Sequence, residues 1–89
     1  MEVVFLKSFL TDIKRVKDQK LKQRIRELII AFENATSLED IPNISKMKGY
    51  SIAFRVRVGD YRLGFYCERE VVELARFVKR NDIYKVFPE

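Results

Sequence analysis

Residues 54–66, FRVRVGDYRLGFY, alternate between apolar or aromatic side chains and others, and most of the others are arginine. Alternation with a period of two, interrupted at Val58-Gly59-Asp60-Tyr61, predicts two antiparallel strands joined by a two-residue turn in which Gly59 supplies the positive φ. The turn sets the register. It opposes Val58 to Tyr61, Arg57 to Arg62, Val56 to Leu63, Arg55 to Gly64, Phe54 to Phe65, Ala53 to Tyr66 and Ile52 to Cys67. One face then carries Ile52, Phe54, Val56, Val58, Tyr61, Leu63, Phe65 and Cys67, and must meet a core. The other carries Ala53, Arg55, Arg57, Arg62, Gly64 and Tyr66.

Upstream, the apolar run EVVFL at residues 2–6 reads as a first strand. Ser8 is placed to cap a helix whose apolar stripe is Phe9, Leu10, Ile13 and Val16, with Asp12, Lys14, Arg15 and Lys17 on the wet face. Asp18 offers a second cap, and Leu21, Ile25, Leu28, Ile29 and Phe32 carry a longer stripe to about Ala35. The interleaved charges from Lys14 to Glu27 read as the solvated face of these helices rather than a dedicated phosphate ridge. Residues 36–49, TSLEDIPNISKMKG, break the periodicity and predict a loop with one capped helical turn at Ser37 and Asp40.

Downstream, residues 71–79, VVELARFVK, form a third strand after a turn at Glu68-Arg69-Glu70, with a bulge near Arg76 to reconcile its uneven alternation. The ending KRNDIYKVFPE returns Arg80, Tyr84 and Lys85 toward the sheet. The predicted fold class is α+β: an N-terminal strand, two consecutive helices and a three-stranded antiparallel meander, with the helices packed on one sheet face. Eighty-nine residues suit one core, so residues 1–89 are read as a single domain.

Charge sharpens this picture. Of the net +5, residues 1–45 contribute +1 and residues 46–89 contribute +4, so the basic excess belongs to the half that holds the hairpin. Histidine is absent and Cys67 is the sole cysteine, which removes the commonest general base and metal ligand and any internal disulfide. Chemistry must come from Arg, Lys, Tyr, Asp and Glu, and no metal or cofactor is expected. No apolar run reaches the roughly 18 residues of a membrane span, and the N-terminus lacks the order of a signal peptide, so a cytoplasmic protein with no membrane partner is expected.

Arg57 directly opposite Arg62 costs up to about 1 kcal/mol of repulsion, and nothing in folding asks for it. One account has the three arginines paired with Glu68, Glu70 or Glu73 over a solvated sheet. The other has them hold a polyanion, because the planar guanidinium takes phosphate oxygens two at a time and keeps its charge at physiological pH. Gly64 would admit a nucleic-acid backbone, and Tyr66 or Tyr84 would stack on a base. With no recognition helix evident, RNA is the expected ligand, bound by Arg55, Arg57, Arg62, Tyr66 and Lys85.

KMKGYSIAFRVRVGDYRLGFY and the ending KRNDIYKVFP closely resemble the RelE/ParE superfamily of toxins from prokaryotic type II toxin–antitoxin modules, over essentially the whole chain. The resemblance implies a RelE-like microbial RNase fold and a ribosome-dependent mRNA endonuclease, or mRNA interferase, that inhibits translation. It also implies a cognate antitoxin, with an acidic or amphipathic segment wrapping the toxin, and contact with operator DNA only through that complex. Basic residues on the second strand, an arginine on the third, an arginine after the last strand and a nearby tyrosine form the family's active site. They correspond to Arg55 and Arg57, Arg62, Arg80 and Tyr84. The implied reaction is metal-free attack of a ribose 2′-OH on the adjacent phosphate. Arg57 and Arg62 would bind that phosphate, Arg55 would position the backbone, Arg80 would assist the leaving oxygen and Tyr84 would stack on a base.

The chain departs from the family pattern at the proton acceptor. RelE itself has lysines at the positions of Arg55 and Arg57, and many relatives have histidine where this chain has Lys79. Arginine, with a pKa above about 12, accepts a proton poorly. Lys79 and Glu73 are the remaining candidates for general base. Two other readings stay open: a ParE-like toxin that binds gyrase without nuclease chemistry, and a catalytically degenerate homologue that binds its antitoxin.

Overall fold

The computed structural model describes residues 1–88. Its elements run β1 (Glu2–Phe5), α1 (Lys7–Lys14), α2 (Gln19–Asn34), a 3₁₀ turn (Leu38–Asp40), β2 (Ile44–Lys46), β3 (Ala53–Val58), β4 (Tyr61–Glu68), β5 (Val71–Lys79) and α3 (Ile83–Val86). The sheet has five strands in the order β1-β5-β4-β3-β2. β1 lies parallel to β5, and every other pairing is antiparallel. The meander therefore has one strand more than its periodicity announced, because β2 adds a three-residue edge opposite Val56, Arg55 and Phe54.

The hairpin register is the one its turn dictates. Val58 pairs with Tyr61, Arg57 with Arg62, Arg55 with Gly64 and Ala53 with Tyr66. The core face of β3 and β4 packs beneath α1 and α2 around Phe9, Val16, Ile25 and Phe32, with Phe65 fully buried at its centre. Phe65 is held edge-on by Phe32 at 5.0 Å and stacked on Phe54 at 5.5 Å, both in the favoured ring-contact range. In β5, Gly64 pairs with Arg76 but Phe65 pairs with Leu74, so Ala75 is the extra residue of a bulge. The bulge switches the alternation and lets Val72, Leu74 and Phe77 all enter the main core.

Of three local expectations, one holds and two change. Asp18 does cap α2, accepting from the amides of Lys20 and Leu21. Ser8, by contrast, lies inside α1, whose first residue is Lys7. Its hydroxyl instead donates at 2.7 Å to the carbonyl of bulged Ala75. Asp12 is not on the wet face: it is 5% exposed, and its Oδ2 accepts from Arg76 Nε at 2.7 Å and from the Phe77 amide at 2.9 Å. After Phe5 pairs with Leu74, β1 leaves the β5 edge, and this carboxylate on α1 takes over an amide there that would otherwise be buried unpaired.

The opposite sheet face also differs from an open solvated surface. Met47, Ala53, Ala75, Ile83 and Phe87 form a second small core there, flanked by Leu6, Tyr66, Val78 and Val86. Gly64 does not leave room for a ligand backbone: an added Cβ would lie 2.6 Å from Cδ2 of Phe87. The missing side chain seats that ring, and the C-terminal segment roofs half of the face.

Candidate nucleic-acid interface

The uncovered half of the face is a cleft of about 320 Å³ lined by Asn43, Ile44, Ser45, Arg55, Arg57 and Arg62. β3 brings Arg55 and Arg57 to it, two residues apart on one side of the strand, and β4 brings Arg62 opposite Arg57. β2 closes the edge with Ser45 opposite Arg55.

Each guanidinium is held by an uncharged partner. Arg62 Nη1 donates to the carbonyls of Gly59 and Tyr61, both at 2.9 Å. Arg57 Nη2 donates to Asn43 Oδ1 at 3.3 Å. Arg55 lies between the Met47 sulfur, 3.6 Å from its Nη1, and the Tyr84 ring, whose centroid is 5.4 Å from its Cζ, within cation–π range. Among the described residues, none of the three forms an ion pair with a carboxylate, so pairing with Glu68, Glu70 or Glu73 is not how this face is arranged. Turning Arg62 onto the turn carbonyls eases its repulsion with Arg57 and leaves both charges uncancelled.

Tyr84 is 64% exposed and flanks the cleft through Arg55. Arg80 follows β5 directly, and its amide donates to the Asp60 carbonyl at 2.8 Å, which sets its backbone beside the turn that holds Arg62. Lys85 is exposed and lies 3.6 Å from Asp82 Oδ1, one turn back on the same segment. Tyr66 is not in the cleft: its ring packs on Phe87 at 5.0 Å as a wall of the second core.

Neither candidate base lines the cleft of the three arginines. Lys79 pairs with Tyr61, and that register turns it to the helix side of the sheet. Glu73 pairs with Tyr66 and shares its face, but Tyr66 is four residues along β4 from Arg62, about 13 Å at strand rise. Phe87 on Gly64 stands between them. Among the described residues, no three His, Cys, Asp or Glu side chains are grouped to hold a metal. The arrangement can bind a phosphodiester and stabilise negative charge developing on it; among the described residues it lines up no proton acceptor of its own.

Sequence reasoning missed Asn43, Ile44 and Ser45. The available signal was Ile44 facing in and Ser45 facing out after Pro42-Asn43, but three residues do not make a period.

A second surface lies between α1 and α2. Phe5, Phe9, Leu10, Ile13 and Ile29 line an apolar groove, with Lys14, Lys22 and Arg26 at its margin. Leu10, expected within the core stripe, is 44% exposed there. No helix among the described residues is long and apolar enough to cross a membrane.

No protein-family model matches the chain. The chain is 37% identical over 89 residues to the toxin RelE3 of Methanocaldococcus jannaschii, covering 99% of this chain and 100% of that one. Its fold superposes with a TM-score of 0.81 on a chain of the RelB–RelE antitoxin–toxin complex from Methanococcus jannaschii, at 34% identity, covering 96% of this chain and 99% of the other. The archaeal RelE–RelB complex from Pyrococcus horikoshii shares the fold at a TM-score of 0.71 and 20% identity, covering 89% and 93% of the two chains. At 37% identity over 99% of its length to a RelE toxin, and with the matching fold, the chain belongs to the RelE family of toxins from toxin–antitoxin systems.

Proposed function

We propose that the chain is a ribosome-dependent mRNA endonuclease that acts in the cytoplasm to inhibit translation. The observation that carries this reading is the set of three guanidinium groups in one cleft, each fixed by a neutral partner and none, among the described residues, cancelled by a carboxylate. Arg57 and Arg62 grip the scissile phosphate and stabilise the charge that grows on it during 2′-OH attack, Arg55 holds the neighbouring backbone, Arg80 serves the leaving oxygen, and Tyr84 stacks on a base. The chain supplies position and charge, while the proton of the 2′-OH leaves to water. No metal or cofactor takes part in this scheme.

The partner is an antitoxin, as in the archaeal complex with 34% identity. An acidic, amphipathic segment suits both surfaces: its carboxylates meet the arginine cleft, and its apolar stripe lies in the α1–α2 groove beside Lys14, Lys22 and Arg26. A bound antitoxin would cover the phosphate site and keep the chain from the ribosome.

The test is to induce the chain alone in cells, map mRNA 5′ ends on translated messages and assay plasmid supercoiling in parallel. Codon-phased cuts that fall about 100-fold or more with Arg62→Ala are expected for loss of a transition-state charge contact. Intact messages beside a supercoiling defect would sink the nuclease reading in favour of a gyrase-binding toxin.

A further inference from the structure

Arg57 and Asn43 meet twice. The Arg57 amide donates to the Asn43 carbonyl at 3.2 Å, and Arg57 Nη2 donates to the Asn43 side-chain oxygen at 3.3 Å. Asn43 has φ of 65°, the left-handed region that Gly and Asn adopt more readily than other residues. Its place is fixed from the C-terminal side, because Ile44 pairs with Val56 as the first residue of β2. The side chain thus projects from an immobilised backbone into the cleft that Arg57 also lines.

The residue type is informative. A carboxylate at this position would orient Arg57 equally well but would cancel its charge. A neutral amide oxygen orients the guanidinium and leaves the charge for a ligand. Of five guanidinium N–H donors, this bond uses one, so a two-point grip on a phosphate stays open.

We propose that Asn43 is the positioning residue of the cleft, holding the Arg57 guanidinium ready for a phosphodiester oxygen without neutralising it. The phosphodiester part rests on reading the cleft as an RNA site; the control of Arg57 by Asn43 does not.

Two variants separate the possibilities: Asn43→Gly, which keeps the positive φ and removes the amide, and Asn43→Asp, which keeps the acceptor and adds a charge. The measurements are thermal unfolding, the ¹⁵N order parameter of the Arg57 Nε–H group, and binding of a short single-stranded RNA over a salt series. For Asn43→Gly we expect an unchanged or higher melting temperature, a lower Arg57 order parameter, and RNA affinity reduced about fivefold, the scale of one lost hydrogen bond. For Asn43→Asp we expect an ordered Arg57 and a slope of log K against log salt that is shallower by about 0.7, one phosphate contact on a single strand. An Arg57 order parameter unchanged in Asn43→Gly overturns the inference. So does a melting temperature that falls in that variant, since Asn43 would then serve the fold. If the wild-type chain binds no RNA while Arg57 order still depends on Asn43, the RNA reading fails and the positioning role stands.

Discussion

The ring of Phe87 rests on the bare α-carbon of Gly64, so close that a methyl group there would lie 2.6 Å from Cδ2. One substitution on β4 therefore controls whether the C-terminal segment can dock. Gly64→Ala should destabilise the protein by about 1–3 kcal/mol through overpacking, and Phe87→Ala by about 3–5 kcal/mol through the cavity it leaves. The double variant should cost clearly less than the sum of the two, because truncating the ring relieves the clash. Urea unfolding of the four proteins checks this, and strict additivity would show that the two positions do not meet.

Asp12 serves two donors at once, the Arg76 guanidinium and the Phe77 amide, from a position almost out of solvent. Asp12→Ala should cost about 1–3 kcal/mol, since it leaves the buried Phe77 amide without its acceptor. Amide exchange gives a local readout: Phe77 should lose protection in the variant while Phe65 keeps it until global unfolding. Equal losses at both sites would mean that Asp12 contributes only generally.

The turn between β4 and β5 places both Arg69 and Glu70 at positive φ, 53° and 66°. Side chains other than Gly and Asn adopt that conformation at a cost of roughly 1–2 kcal/mol per residue, and the two-residue turn of this type favours Asn-Gly. Replacing Arg69-Glu70 by Asn-Gly should raise stability by about 1 kcal/mol. The turn lies at the far end of the hairpin from the Arg57–Arg62 pair, so cleavage and RNA affinity should not change. A lower melting temperature would count against the turn assignment.

The pH dependence of cleavage tests the missing base. With no proton acceptor among the described residues lining the cleft, the single-turnover rate should rise about tenfold per pH unit between about pH 6 and 9, with no plateau. A plateau near neutrality would reveal a titrating base, and its loss in a Glu73→Gln or Lys79→Met variant would assign it.

Legibility in the sequence followed the range of the interactions. The hairpin, its register and the identity of Arg55, Arg57 and Arg62 could be read because a two-residue turn at Gly59 fixes every pair that follows. Asp12 reads by residue type as a wet-face residue, although its spacing from Phe9 and Val16 puts it in the middle of the buried stripe. The partner that makes its burial tolerable, Arg76, is 64 residues away. Likewise, the seating of Phe87 on Gly64 and the closing of the cleft edge by β2 are tertiary events with almost no local signal. Missing them made the arginine face look wider than it is, admitting Tyr66 and Glu73 to a site from which Phe87 separates them.

The parallel pairing of β1 with β5 joins the first residues of the chain to strands made near its end, Glu2 to Val71 and Phe5 to Leu74. During synthesis, β1 and α1 emerge long before the strand that completes them exists, and such distant pairings form late in folding. Until Val71–Lys79 has been made, the sheet lacks the strand that lies between β1 and β4. The opposition of Arg57 and Arg62, by contrast, needs only the local hairpin of β3 and β4, so the charged pair can assemble before the strand that closes β1 into the sheet.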